Sequence, residues 1–367
     1  MSRDLAVDRV RTLRMRAQLL CGPRPVRVPD AVARVGAVQA QSIAAARLAV
    51  RARTAGLTAD DVSRAINDDR AVVRTWAMRG TLHMLAAADV RWMVALLGPI
   101  FAAAGRRRRQ ELHLTDEVCE RGLAAIATVL AGSPPLARAE LVARIAEQGV
   151  RIDPATQAPA HLFGYAAMRG LICRGPELPG PSYVLLDEWL GTPAGPVLDP
   201  DTAVAELAGR YLAGHGPATA RDFAAWSGLP IGRARTGFGL VAADHTEVSV
   251  AGEPAYLPST VDPDAPAEPV VRLLGQFDEY LLGFGSRDFT LDPAYAKRIQ
   301  AGGGIITPAV LVDGRVAGTW RVDRKAGSLR VRVEPFTALP RGTNGRLAAE
   351  VTDIGRFLGG PATLVSG

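Results

Sequence analysis

Gln39 and Gln41 are two amides set in an otherwise apolar stretch. From Val32 to Ala46 every other residue except Arg34 and Ser42 is apolar or glycine. A buried amide costs free energy unless it is hydrogen-bonded, so a segment that needed only a buried helix would not carry two. At a spacing of i, i+2 they would point about 200° apart on a helix. Either one is wasted or the backbone bends, and a bend at a helix end can build a site. The plain alternative is a polar helix end whose amides cap backbone groups. In both cases the pair offers donors and acceptors but no group that titrates near neutral pH.

Other chemistries find little support. His83, His113, His161, His215 and His245 are scattered, with no HExxH pattern. Cys21, Cys119 and Cys173 lie far apart with no CxxC. Reduced, buried thiols and no metal are expected. Lys297 and Lys325 are the only lysines among 43 cationic side chains, which leaves Schiff-base chemistry few candidates. Gly302-Gly303-Gly304 lacks a phosphate-loop or dinucleotide signature, and no serine nucleophile elbow is present. No cofactor is implied. His83 follows Thr81 in a strand pattern, and Asp278-Glu279-Tyr280 sits between Leu273-Leu274 and Leu281-Leu282. Those carboxyls read as a turn cap or as site groups.

The chain must position these residues with more than one core, because 367 residues imply roughly two to four modules. Residues 8–20 and 28–38 carry helical patterns, 46–52 alternate as a strand, and Thr58-Ala59-Asp60-Asp61 is an N-cap signal. A hairpin follows: 72–78, a turn at Arg79-Gly80, then 81–85. This order is that of a winged helix. Similar grammar returns in 117–186 and again in 201–257. Beyond a Pro/Asp linker at 257–269, strands at 310–312, 316–322 and 328–333 precede a helix at 345–357. The expectation is an α+β chain, mostly α. Three tandem winged-helix modules (1–110, 111–196, 197–262) would precede a barrel-like β-rich domain at 263–367.

A net charge of +6 and a pI near 9.6 make a polyanion a plausible partner. Arg47, Arg51, Arg53, Arg74 and Arg79 flank the amide pair and the first hairpin. Arg106 to Arg109 end a helix, either as a solvated C-terminus or as a phosphate clamp. No run of about 18 apolar residues suggests a membrane span. The N-terminus lacks a secretory pattern, so a cytoplasmic, nucleoid-associated protein is expected.

Val38-Gln39-Ala40-Gln41, the run from Arg74 to His83, and Gln276-Phe277-Asp278-Glu279-Tyr280-Leu281-Leu282-Gly283 together resemble the AlkZ-like family of bacterial DNA glycosylases. The resemblance covers nearly the whole chain. It implies that Gln39 and Gln41 are the catalytic pair, and the second glutamine places the chain in the branch that includes antibiotic self-resistance enzymes. Guanine alkylated at N7 is cationic, so its base leaves without a strong general acid. Amides could then hold the attacking water and face the oxocarbenium-like sugar. The implied function is a monomeric, monofunctional glycosylase without lyase activity, acting on duplex DNA that carries alkylated guanine, bulky adducts or crosslinks. His83, Asp278 and Glu279 would line the site. Arg47, Arg51, Arg74, Arg79 and Arg315 would hold DNA, with the first wing or the Asp313-Gly314 hairpin probing a groove. A winged-helix transcription regulator is the alternative.

Overall fold

The computed structural model describes residues 3–178, 180–191, 198–325 and 327–366. Local signals set many of its elements. Thr58 caps the helix Ala59–Asn67 through a reciprocal box: its hydroxyl accepts from Asp61 N at 3.2 Å and its N–H donates to Asp61 at 2.8 Å. Thr219 and Asp222 repeat the device at Ala220–Ser227. The first hairpin runs Val72–Trp76 and Leu82–Ala86, and Arg79 (φ 57°) and Gly80 (φ 66°) take left-handed conformations in its turn.

The strands form three sheets among the described residues. One holds six strands in the order Val38–Gln39, Leu82–Ala86, Val72–Trp76, Ile172–Arg174, Ser182–Leu185, Leu136–Ala137. The first and second expected wings therefore meet edge to edge, at Arg74 opposite Arg174. A second sheet pairs His245–Val250 with Glu253–Pro258 and, in parallel, with Arg3–Asp4. Thus the N-terminus adds a strand to the third expected wing. The third sheet is an open, curled half-barrel of Val271–Leu274, Ala309–Val312, Arg315–Lys325, Ser328–Pro335 and Ala362–Ser366, with the helix Thr343–Leu358 packed on it.

Two expected elements differ. The stretch expected as a strand at 46–52 lies in the helix Ile43–Arg53, capped by Ser42, which accepts from Ala45 N at 3.3 Å. Its apparent alternation misled because Arg51 and Arg53, read as solvent-facing, are both buried. The helix expected to end in four arginines breaks at Gly105 into Ala87–Ala104 and Arg106–Glu111. By length and composition Ala87–Ala104 could cross a membrane, but here it supplies core residues such as Trp92, Met93 and Leu97.

The candidate active site

The bend expected between the amides is a change of element. Val38–Gln39 is a short strand beside Leu82–Ala86, with Gln39 opposite His83, and Ser42 then starts a helix. Ala40 N donates to the Leu82 carbonyl at 2.8 Å, extending the strand pairing to the residue between the glutamines. Gln39 is consequently buried, at 8% exposure, whereas Gln41 is exposed.

Both amides belong to one hydrogen-bond chain. Arg79 Nη2 donates to Gln39 Oε1 at 3.0 Å, and Gln39 Nε2 donates to Gln41 Oε1 at 3.0 Å. Arg79 is steadied from behind, since its Nη1 donates to the Trp226 carbonyl. Beneath them lies Glu279, fully buried. It accepts from Gln39 N at 2.9 Å through Oε1 and from Trp226 Nε1 at 3.2 Å through Oε2. Burial raises the Glu279 carboxyl above its ordinary range, opposed by the Arg79 charge and the Gln39 N–H. Burial lowers the Arg79 guanidinium, opposed by Glu279. His83 is also fully buried, and its Nδ1 lies 3.0 Å from the Thr81 carbonyl. Burial, reinforced by Arg79, lowers it to about 3, so it is neutral at pH 7.

Several expected site residues sit elsewhere. Asp278 is wholly buried and does not line an open site. It caps Glu279–Leu282 through Tyr280 N at 2.9 Å and binds Arg53 with both oxygens, at 2.7 and 2.8 Å. Gln18, which the sequence did not flag, bridges this pair to the site: its Oε1 accepts from Arg53 at 2.7 Å and its Nε2 donates to the Glu279 carbonyl at 3.2 Å. Trp226 also went unflagged, because an aromatic in a helical apolar pattern carries no signal beyond core packing.

The expected DNA contacts divide similarly. The Arg51 side chain is 0% exposed and bound to Glu350 at 2.9 Å and Asp353 at 2.8 Å, so it is corrected from a phosphate contact to an internal tie. Arg74 is likewise corrected: buried, it donates to Glu177 at 2.7 Å and to the Ala40 carbonyl at 3.2 Å. Arg47 is half-buried against Ser63. Arg315 is exposed next to Arg11. The Asp313-Gly314 turn is not free to enter a groove. Tyr280 Oη donates to the Gly314 carbonyl at 3.1 Å, and a Cβ at Gly314 would lie 2.7 Å from Arg11 Cβ.

The profile of the family described as DNA glycosylase AlkZ-like matches residues 32–357, which includes both amides and the Glu279 segment. The chain belongs to the AlkZ-like DNA glycosylase family. An interstrand DNA cross-link repair glycosylase from Streptomyces sahachiroi is 32% identical over 328 residues, spanning 84% of this chain and 86% of that protein. The solved structure of the Streptomyces sahachiroi DNA glycosylase AlkZ superimposes with a TM-score of 0.83 at 27% identity, over 99% of this chain and 100% of that one. For this AlkZ-like glycosylase, membership implies a DNA substrate.

Proposed function

We propose that the protein is a monofunctional glycosylase that hydrolyses the C1′–N9 bond of cationic N7-alkylguanine in duplex DNA, using a water held by Gln41. The carrying observation is the asymmetry of the amide pair. Gln39 has both ends of its amide engaged, whereas Gln41 is exposed and, among the described residues, uses only its oxygen, on Gln39. Gln39 therefore orients and Gln41 presents. The second lone pair of Gln41 Oε1 accepts one hydrogen of the water, and its carbonyl dipole faces the positive charge developing on the sugar.

The bond electrons pass to the alkylated base, which leaves neutral. The water oxygen bonds to C1′, and the surplus proton goes to solvent. No strong general base takes part, because an amide cannot be one at pH 7 and His83 and Glu279 are sealed beneath the pair. Such a site suits a substrate that brings its own charge and spares undamaged guanine. With only two lysines in the chain, a Schiff-base lyase step has few candidate residues. The Streptomyces relative's name supports interstrand crosslinks as substrates; bulky adducts, and self-resistance to a DNA-alkylating natural product, belong to the same proposal. Tandem winged helices acting as a monomer would present the site. Family membership favours this enzyme over a winged-helix regulator.

The test is incubation with duplex carrying N7-methylguanine, followed by alkali to cleave at abasic sites. The wild-type protein should release the base. Gln41→Ala should bind the duplex as tightly and release essentially none. Release at the wild-type rate would remove Gln41 from the mechanism.

A further inference from the structure

The four consecutive arginines do not share one role. Arg106 pairs with Asp116, Arg107 and Arg108 pair with Glu111, and Arg108 also reaches Gln157. Arg109 turns inward. It is 6% exposed, its guanidinium carbon lies 4.3 Å from the centroid of the Tyr165 ring, and its Nε has no hydrogen-bond partner among the described residues. Among the described residues it forms no ion pair with a carboxylate. Burying a cation without an anion is unfavourable, and a helix end needing only solubility would have left it in water.

Arg109 lines a cleft of about 410 Å³ between the first hairpin and the helix Ala158–Met168. Trp76, Phe101 and Tyr165 wall it, Arg79 and His161 share its lining, and no Asp or Glu does. Glu120, which reaches the Tyr165 wall from outside the cleft, is already used: it accepts from Tyr165 Oη at 3.0 Å and pairs with Arg169 at 2.8 Å. Two glycines keep the space open. A Cβ at Gly105 would lie 3.0 Å from Arg109 Nη1, and one at Gly164 would lie 3.3 Å from Trp76 Nε1. Arg79 joins this cleft to the amides, since the same guanidinium donates to Gln39 at 3.0 Å.

We propose that the Arg109 cleft is a phosphate site that takes one phosphodiester of the strand presented to Gln41, with the aromatic walls packing against its sugar or base. Arg109 provides the donors and Arg79 the supporting charge. A delocalised guanidinium held over an aromatic ring is pre-organised for this role. The choice of DNA as occupant rests on the glycosylase reading. The site itself rests on a buried cation that no described carboxylate pairs.

Binding to an unmodified duplex tests the site without requiring excision. Fluorescence anisotropy from about 50 to 300 mM salt gives the slope of log affinity against log salt, which follows the number of phosphates neutralised. Arg109→Gln should make that slope shallower by about one. Arg107→Gln removes the same formal charge from an exposed position and should change it by less than half as much. If Arg109→Gln does not melt cooperatively, Ala160→Glu places a carboxylate in the cleft from an exposed helical position and should weaken binding more than Arg107→Gln does. The proposal is overturned if the Arg109→Gln slope matches wild type or the Arg107→Gln control, or if Ala160→Glu binds no more weakly than that control. It is also overturned if inorganic phosphate raises the melting temperature through Arg109 while the DNA slope is unchanged, which would mark a free-anion site. A wild-type protein that binds no duplex would sink the glycosylase reading as well. One that binds and excises but shows no Arg109 effect would sink only the cleft.

Discussion

Arg79 commits two nitrogens at once, one to Gln39 and one to the Trp226 carbonyl, from a left-handed backbone conformation (φ 57°). That anchoring decides which face of each amide Gln39 and Gln41 show, because a free amide could flip. Arg79→Met should therefore lower kcat by about 10- to 100-fold through loss of orientation, with a smaller rise in KM from the charge it removes beside the Arg109 cleft. Arg79→Lys keeps the charge but lacks the planar fork, and should fall between the two in single-turnover assays. An equal loss in Lys and Met would indicate geometry, whereas full rescue by Lys would indicate charge. The buried histidines govern a separate property. His83 and His215 are each lowered by burial to about 3 from an ordinary 6.5, so the unfolded chain binds protons there that the folded chain does not. Stability conferred by each is present above pH 6.5 and is lost on acidification at about 1.4 kcal/mol per pH unit. Glu279 is raised and acts with the opposite sign, costing stability as pH rises above the ordinary carboxyl range. Urea titrations from about pH 4.5 to 6.5 should show a net acid destabilisation, and His83→Asn should reduce its slope by about 1.4 kcal/mol per unit.

The helix Ile43–Arg53 places Gln41 just ahead of its cap while two of its arginines face inward. Arg53 is wholly buried with Asp278, each at 0% side-chain exposure. Removing one member of such a pair strands the other charge, so Asp278→Ala should cost about 3–5 kcal/mol in urea unfolding. Asp278→Asn retains an acceptor for Arg53 and for the cap and should cost less; equal costs would argue that the charge, not the cap, dominates. The same helix marks where sequence reading stopped. The Thr58 cap, the first hairpin and the amide pair were legible because their partners lie a few residues away or their types break a pattern. The helix itself was misread because Arg47, Arg51 and Arg53 suggested a wet face. Nothing nearby reveals that the carboxylates of Asp278, Glu350 and Asp353 arrive from more than 200 residues later. Burial of Arg74 was hidden in the same way, its partner Glu177 being 103 residues distant.

Across the whole molecule, these distant partners join the chain's first and last thirds. Arg51 donates to the Leu273 carbonyl at 2.8 Å as well as to the two carboxylates of the C-terminal helix, and Arg356 reaches back to the Leu57 carbonyl at 2.8 Å. Apolar packing follows the same route: Phe357 is buried with Val32, Val38 and Val50, the residues around the amide pair. The strand Arg3–Asp4 meanwhile joins the third hairpin, and Met15 packs with Leu274 and Leu281. The expected modules therefore share cores, and the floor of the candidate site, Glu279, comes from the C-terminal segment. A fragment ending at residue 262 would keep Gln39, Gln41 and Arg79 but lose Glu279, Asp278 and Glu350. Arg51 and Arg53 would then be buried cations without anions, at several kcal/mol each, comparable with the whole stability of a domain. The fragment should show no cooperative thermal transition and poor amide dispersion by NMR, and adding residues 263–367 in trans should not restore excision unless both pieces associate. A cooperatively folding fragment would mean that the two arginines can turn outward. The Ile43–Arg53 helix would then be held by its own apolar face rather than by the carboxylates that meet it.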